Sequence, residues 1–123
     1  MENILLINSH AFAVKIIKLF KSLTKNSSEQ TLPRELLKFG TSIGALVREA
    51  QNAGSRVDFV HKLGIAQKKC GETIYWLELL VETCYIADYQ CFPLNEETES
   101  LLKILKSPII NCEEKYAEVN FSC

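Results

Sequence analysis

Apolar residues recur along most of this chain at the three-and-four spacing of a helix, and polar breaks divide them into four segments. In the first, Phe12, Ile16, Leu19 and Leu23 step by four, three and four, and Ala13, Ile17 and Phe20 widen the stripe. At 100° per residue these positions fill an arc of about 160°, which predicts an amphipathic helix over about 9–25. Lys15, Lys18, Lys21 and Lys25 fall together on the opposite side. A polar connection, Asn26-Ser27-Ser28-Glu29-Gln30, follows.

The second helix is expected over about 32–52. Thr31 fits an N-cap, and Pro33 an early helical position where its missing N–H costs nothing. Leu36, Leu37, Ile43 and Val47 form its apolar face. Gly40 and Gly44 sit four apart inside it. Each costs about 1 kcal/mol against alanine in helix propensity, so close approach by another helix is expected there. Arg34, Glu35, Lys38 and Arg48 exclude a lipid-embedded glycine zipper. Asn52 to Gly54 end the segment.

A third helix, about 56–85, begins after Ser55, which with Asp58 resembles a capping box. Phe59, Leu63, Ala66, Cys70, Thr73, Leu77, Leu80 and Cys84 make a heptad-like ladder. Val60, Ile74 and Val81 flank it on one side; Ile65, Trp76 and Leu79 flank it on the other. That surface is wider than the roughly 100° stripe one core requires. Pro93 marks a boundary, and Asn95 is a suitable N-cap for a fourth helix over about 96–116, with Glu96, Glu97 and Glu99 at the positive end of its dipole. Leu101, Leu102, Leu105, Ile109 and Cys112 form its stripe; Pro108 should kink it, and residues after Tyr116 should fray. No stretch alternates with period two. The expected architecture is all-α, a single domain over 1–123 folded as an antiparallel up-down four-helix bundle.

Composition changes this picture little. The chain has 123 residues, enough for a real core, and its 47% hydrophobic and 24% charged content is that of a globular domain. The five cysteines form no Cys-x-x-Cys pair, which points to free thiols in a reducing cytoplasm. No apolar run approaches the roughly 20 residues that span a bilayer, and the start lacks the features of a signal peptide. A soluble cytoplasmic protein without membrane contact is expected. The net charge of −1 hides an asymmetry: residues 1–69 carry 11 Lys/Arg against 5 Asp/Glu, residues 70–123 carry 3 against 10.

Candidate chemistry is sparse. Asp58 and His61 have the spacing of one half of a di-iron motif, but the second half is missing, and a helix cap beside a surface histidine accounts for them. Glu49 and Glu72 lie on neighbouring helices, with no nucleophile or oxyanion donors beside them. They are expected, with Ser42, to sit between helices and make hydrogen bonds or ion pairs with groups such as Arg48, Lys68, Lys69 or Tyr75. Cys70 and Cys84 fall on the apolar ladder and read as inert buried thiols. Trp76 reads as a packing residue, in the bundle or at a subunit interface. Lys15, Lys18, Lys21 and Lys25 are either a solvated face or a phosphate-binding one. No catalytic residues, metal or cofactor are expected.

The stretches Gly40-Thr41-Ser42-Ile43-Gly44-Ala45, Arg48-Glu49-Ala50, Ser55 with Asp58-Phe59, and Glu72-Thr73 with Tyr75-Trp76-Leu77-Glu78-Leu79-Leu80 occur in this order within one chain. In them the sequence resembles the small four-helix-bundle proteins named after an intervening sequence in the 23S ribosomal RNA gene. The resemblance implies a left-handed bundle assembled as a ring, with homopentamers the usual form. A related branch serves as the accessory protein of diversity-generating retroelements, where a basic pentameric barrel binds a reverse transcriptase and nucleic acid. The chain departs from the pattern at Leu46, where asparagine is usual, at Lys38-Phe39, where Arg-Ser often stands, and at Pro108. The resulting expectation is a non-enzymatic homo-oligomeric ring, a structural or adaptor protein that binds another macromolecule. Gly40, Ser42, Gly44, Glu49, Glu72 and Trp76 are its expected structural or interface positions. RNA or DNA binding through the four lysines is the alternative.

Overall fold

Four helices carry the chain: α1 (Ile4–Thr24), α2 (Thr31–Gln51), α3 (Arg56–Glu82) and α4 (Asp88–Phe121). The computed structural model describes the backbone of residues 3–121 and the side chains of residues 3–107. Among the described residues there is no strand. Each helix packs on its sequence neighbours and α4 returns to pack on α1, while α1 and α3 lie diagonally opposite, with no Cα of one within 8 Å of a Cα of the other. Asn3, before α1, donates from Nδ2 to Oε1 of Gln51 at the end of α2 (2.8 Å). Lys62 near the start of α3 pairs with Glu49 near the end of α2 (3.3 Å), and Lys15 of α1 pairs with Glu97 of α4 (2.6 Å). Consecutive helices therefore run antiparallel, and the bundle is up-down.

The core follows the spacing in the sequence. Phe12 and Ile16 of α1, Leu36, Ile43 and Val47 of α2, and Leu101 and Leu105 of α4 are all buried. On α3 the ladder Leu63, Ala66, Cys70, Thr73, Leu77 and Leu80 is buried throughout. Full burial of each large aliphatic side chain stabilises by about 1.5–3 kcal/mol. Thr73 and Thr98 satisfy their hydroxyls inside this core by donating to the carbonyls of Lys69 and Leu94, one turn back (2.6 and 2.7 Å). The flanks of α3 are less available than their width suggests. Val60, Ile65, Ile74, Trp76, Leu79 and Val81 are half-buried, because α3 packs on both α2 and α4.

Three helix ends differ from the expected boundaries. First, α1 begins at Ile4 rather than near Ser9, because Asn3 is the cap: its Oδ1 accepts the Leu6 N–H (3.1 Å). Leu5 thereby joins the core, and Ser9 becomes an interior residue.

Second, α3 stops at Glu82, short of residue 85. Cys84 adopts a left-handed conformation (φ 67°), with its N–H on the Val81 carbonyl and the Tyr85 N–H on the Leu80 carbonyl. This is a Schellman stop built on a cysteine. It turns Cys84 out of the ladder to an exposed position, correcting the expectation of a buried thiol.

Third, α4 begins at Asp88 rather than after Asn95. Gln90 reaches back from the first turn and accepts the Ala87 N–H (2.9 Å). This is the returning half of a capping box whose cap residue has no side-chain acceptor. Pro93 lies inside the helix as an exposed residue, and having no N–H it leaves the Tyr89 carbonyl one turn back without its helical donor. Asn95 is an interior residue, and its Oδ1 is buried without a partner.

Other ends form as the sequence suggests, with small changes. The Ser55 hydroxyl accepts the Asp58 N–H (3.0 Å). Thr31 is the first helical residue of α2 rather than its cap, and the Glu29 carboxylate takes its N–H (2.7 Å). That bond holds the Glu29 carboxyl below its ordinary pKa. The side chains of Pro108, Ile109 and Cys112 lie outside the described residues.

Candidate functional site

The glycines of α2 sit where α1 and α2 approach closely. A Cβ on Gly40 would lie 2.9 Å from Cγ1 of Ile16, and one on Gly44 would lie 3.2 Å from the Ser9 carbonyl oxygen. Both glycines thus serve the packing of α1 on α2 inside one chain. Leu46, the departure from asparagine, is half-buried against the core. A shallow depression of about 300 Å³ lies over this junction, lined by Leu6, His10, Ala13, Thr41, Gly44, Ala45 and Arg48.

The other expected structural residues separate. Glu49 is exposed and pairs across helices with Lys62. Glu72 is half-buried and pairs within its own helix with Lys69 (3.8 Å). The Ser42 hydroxyl donates to the Lys38 carbonyl of its own helix (2.5 Å). The two carboxylates are therefore not a pair. Trp76 packs against the core and meets Tyr75 edge to face, with ring centroids 5.5 Å apart.

Two grooves flank the outward face of α3. Between α2 and α3 lies one of about 630 Å³, lined by Glu35, Phe39, Lys68, Gly71, Glu72, Tyr75 and Trp76. Lys38 and Lys69 place their ammonium groups 5.4 and 4.9 Å from the Phe39 ring centroid, so the phenyl that departs from the family pattern holds positive charge at the groove edge. Between α3 and α4 lies a second groove of about 490 Å³, lined by His61, Gly64, Ile65, Gln67, Lys68 and Leu102. Lys68 forms the ridge between the two.

Two further glycines, Gly64 and Gly71, lie inside α3. Unlike the glycines of α2, a Cβ on either would meet nothing within 4 Å. Among the described residues nothing offsets their cost in helix propensity. The available signal was their seven-residue spacing on the face opposite the buried ladder.

The outward face of α1 is divided. Its first half is apolar, with Ile4, Ile7 and Val14 at 59, 52 and 37% exposure. Its second half carries Lys18 and Lys21, with Lys25 just beyond at the C-cap, all exposed. Lys15 differs from these three because Glu97 neutralises it.

Among the described residues no three His, Cys, Asp or Glu side chains gather as a metal site. Burial pushes the Cys70 thiol up to about 12, and burial first, then the nearby Asp88 and Glu78 carboxylates, push Cys91 up as well. No described helix is long and apolar enough to cross a membrane.

Comparison with solved structures places the fold beside a crystal structure of a protein of unknown function, from the S23 ribosomal protein family of Bacteroides thetaiotaomicron. The two chains are 43% identical with a TM-score of 0.83, over 86% of this chain and 98% of the other. Comparison with curated proteins gives no match. The family model for the 23S rRNA-intervening sequence protein matches residues 1–107, which span α1, α2, α3 and the first twenty residues of α4. The bundle and that match together establish that the chain belongs to the 23S rRNA-intervening sequence protein family.

Proposed function

We propose that this protein is a non-enzymatic scaffold: a homo-oligomeric ring that presents its outer surface to another macromolecule in the cytoplasm. The observation that carries the reading is the outward face of α3. Two open glycines lie mid-helix there, Tyr75 is 56% exposed beside them, and a groove runs along each side. Glycine inside a helix costs about 1 kcal/mol, and close approach by a second helix offsets that cost. The resemblance to ring-forming bundles makes five subunits the first expectation. Sedimentation equilibrium at micromolar concentration tests it: an oligomer supports the scaffold, and a monomer removes it.

Nucleic-acid binding is the second reading, favoured by one observation. Lys18, Lys21 and Lys25 lie exposed along one face of α1, with no carboxylate in ion-pairing range among the described residues. Phosphate binding of this kind weakens steeply with salt. RNA binding at low salt that is lost on changing these three residues to glutamate would support it. Absence of binding at low salt would remove it.

A further inference from the structure

We propose that the occupant of the α3 face is the outward face of α1 from a second copy of this chain, lying parallel to α3 and in register with it. This inference rests on the self-assembly reading and names the two surfaces that meet.

The register comes from contacts within one chain. Antiparallel neighbours at one height keep the sum of their residue numbers nearly constant. For α1 and α2 the sum is 54, from Asn3 with Gln51, and the Ser9–Gly44 contact agrees. For α2 and α3 it is 111, from Glu49 with Lys62. Each α1 residue is therefore level with the α3 residue about 57 positions later (111 less 54), and the two helices run the same way. In a ring whose axis follows the bundle, neighbouring copies are related by rotation without rise, so residues at equal height meet.

At that offset the two outward faces complement each other along their length. Ile7 stands opposite Gly64, and Val14 opposite Gly71. Each exposed aliphatic side chain meets a backbone with open space above it. Between them Ala11, the smallest side chain of the α1 line, stands opposite Lys68, the ridge of α3. Large opposes small at three successive positions, which lets two helices interdigitate. Further up, Lys18 stands opposite the Tyr75 ring, Lys21 opposite Glu78, and Lys25 opposite Glu82. All of these residues are exposed in the single chain except Gly64, which is half-exposed. Because α1 and α3 occupy opposite corners of the bundle, the contact is heterologous: each copy offers α1 to one neighbour and α3 to the other. The lysines available for phosphate in the single chain are engaged in this contact.

Disulfide trapping tests the pairing. A chain carrying both Ile7→Cys and Gly64→Cys should give, on mild oxidation, a ladder of covalent multimers that neither single variant gives. The two positions cannot bridge within one chain, since no Cα of α1 lies within 8 Å of a Cα of α3 and a disulfide needs a shorter separation. Charge exchange keeps the test decisive if the cysteines perturb folding. Lys21→Glu should weaken association about tenfold, and adding Glu78→Lys should restore it. An oligomer that shows neither the ladder nor the restoration would overturn this pairing and leave self-assembly standing through another face. A monomeric wild-type protein would overturn both.

Discussion

Gly40 of α2 and Ile16 of α1 are in contact so close that a methyl group on the glycine would sit 2.9 Å from Cγ1 and 3.0 Å from Cγ2 of the isoleucine. Ile16 is fully buried and β-branched next to its backbone, so it has no room to withdraw. Gly40→Ala gains about 1 kcal/mol of helix propensity and loses more to overpacking, which typically costs 1–3 kcal/mol. Urea unfolding should show a net loss of stability of roughly 1 kcal/mol or more. Unchanged or raised stability would show that α1 does not approach α2 this closely.

Gly64→Ala and Gly71→Ala should behave in the opposite way. Neither added methyl meets any described residue of the single chain, so each should stabilise the isolated subunit by about 1 kcal/mol. The same methyls fill the space assigned to Ile7 and Val14 of the neighbouring copy, so subunit association should weaken. Thermal unfolding of dilute protein reads the first effect, and the concentration dependence of the sedimenting mass reads the second. Stabilisation without weaker association would show that these glycines serve no interface.

The contrast between the two glycine pairs marks how far the sequence alone reaches. The close approach at Gly40 and Gly44 was legible because the cost of helical glycine demands a neighbour, and the structure supplies Ile16 and Ser9. The α3 ladder was legible because six of its eight positions keep the helical period into the core. The start of α4 was not. Ala87 offers no side-chain cap, and Pro93 is a strong breaker when its position relative to solvent is unknown. The Glu49–Lys62 pair and the isolation of Glu72 depend on heights along the bundle, which spacing within one helix does not fix. The open glycines of α3 were readable by the same reasoning as those of α2, but only the structure separates a filled glycine contact from an empty one.

Cys84 carries the left-handed turn that ends α3. A non-glycine residue there pays about 1 kcal/mol in steric strain. Cys84→Gly should relieve it and raise stability by about 0.5 kcal/mol, after allowing for the greater freedom of glycine in the unfolded chain. Cys84→Val should lower stability, because a β-branched side chain tolerates that conformation poorly. Equal stability of the two variants would argue against the left-handed turn.

The thiols should separate by reactivity and by pH. Folded protein at pH 8 should alkylate rapidly at exposed Cys84 and slowly at buried Cys70, as read by mass spectrometry of the derived peptides. The Cys70 thiol, pushed up to about 12 from 9.0, stays protonated in the folded chain while the unfolded chain releases its proton. Its contribution to stability is therefore complete below about pH 9 and declines as pH rises from there towards about 12. Cys70→Ala should flatten that alkaline decline. An unaltered slope would place the titration elsewhere.

If one face of α3 is completed by another copy of the chain, sedimentation equilibrium of the wild-type protein at micromolar concentration should show a discrete species at a multiple of the 13.9 kDa chain mass, with five chains the first expectation. A stable dimer would contradict the ring, and a mass of 13.9 kDa would contradict the assembly itself.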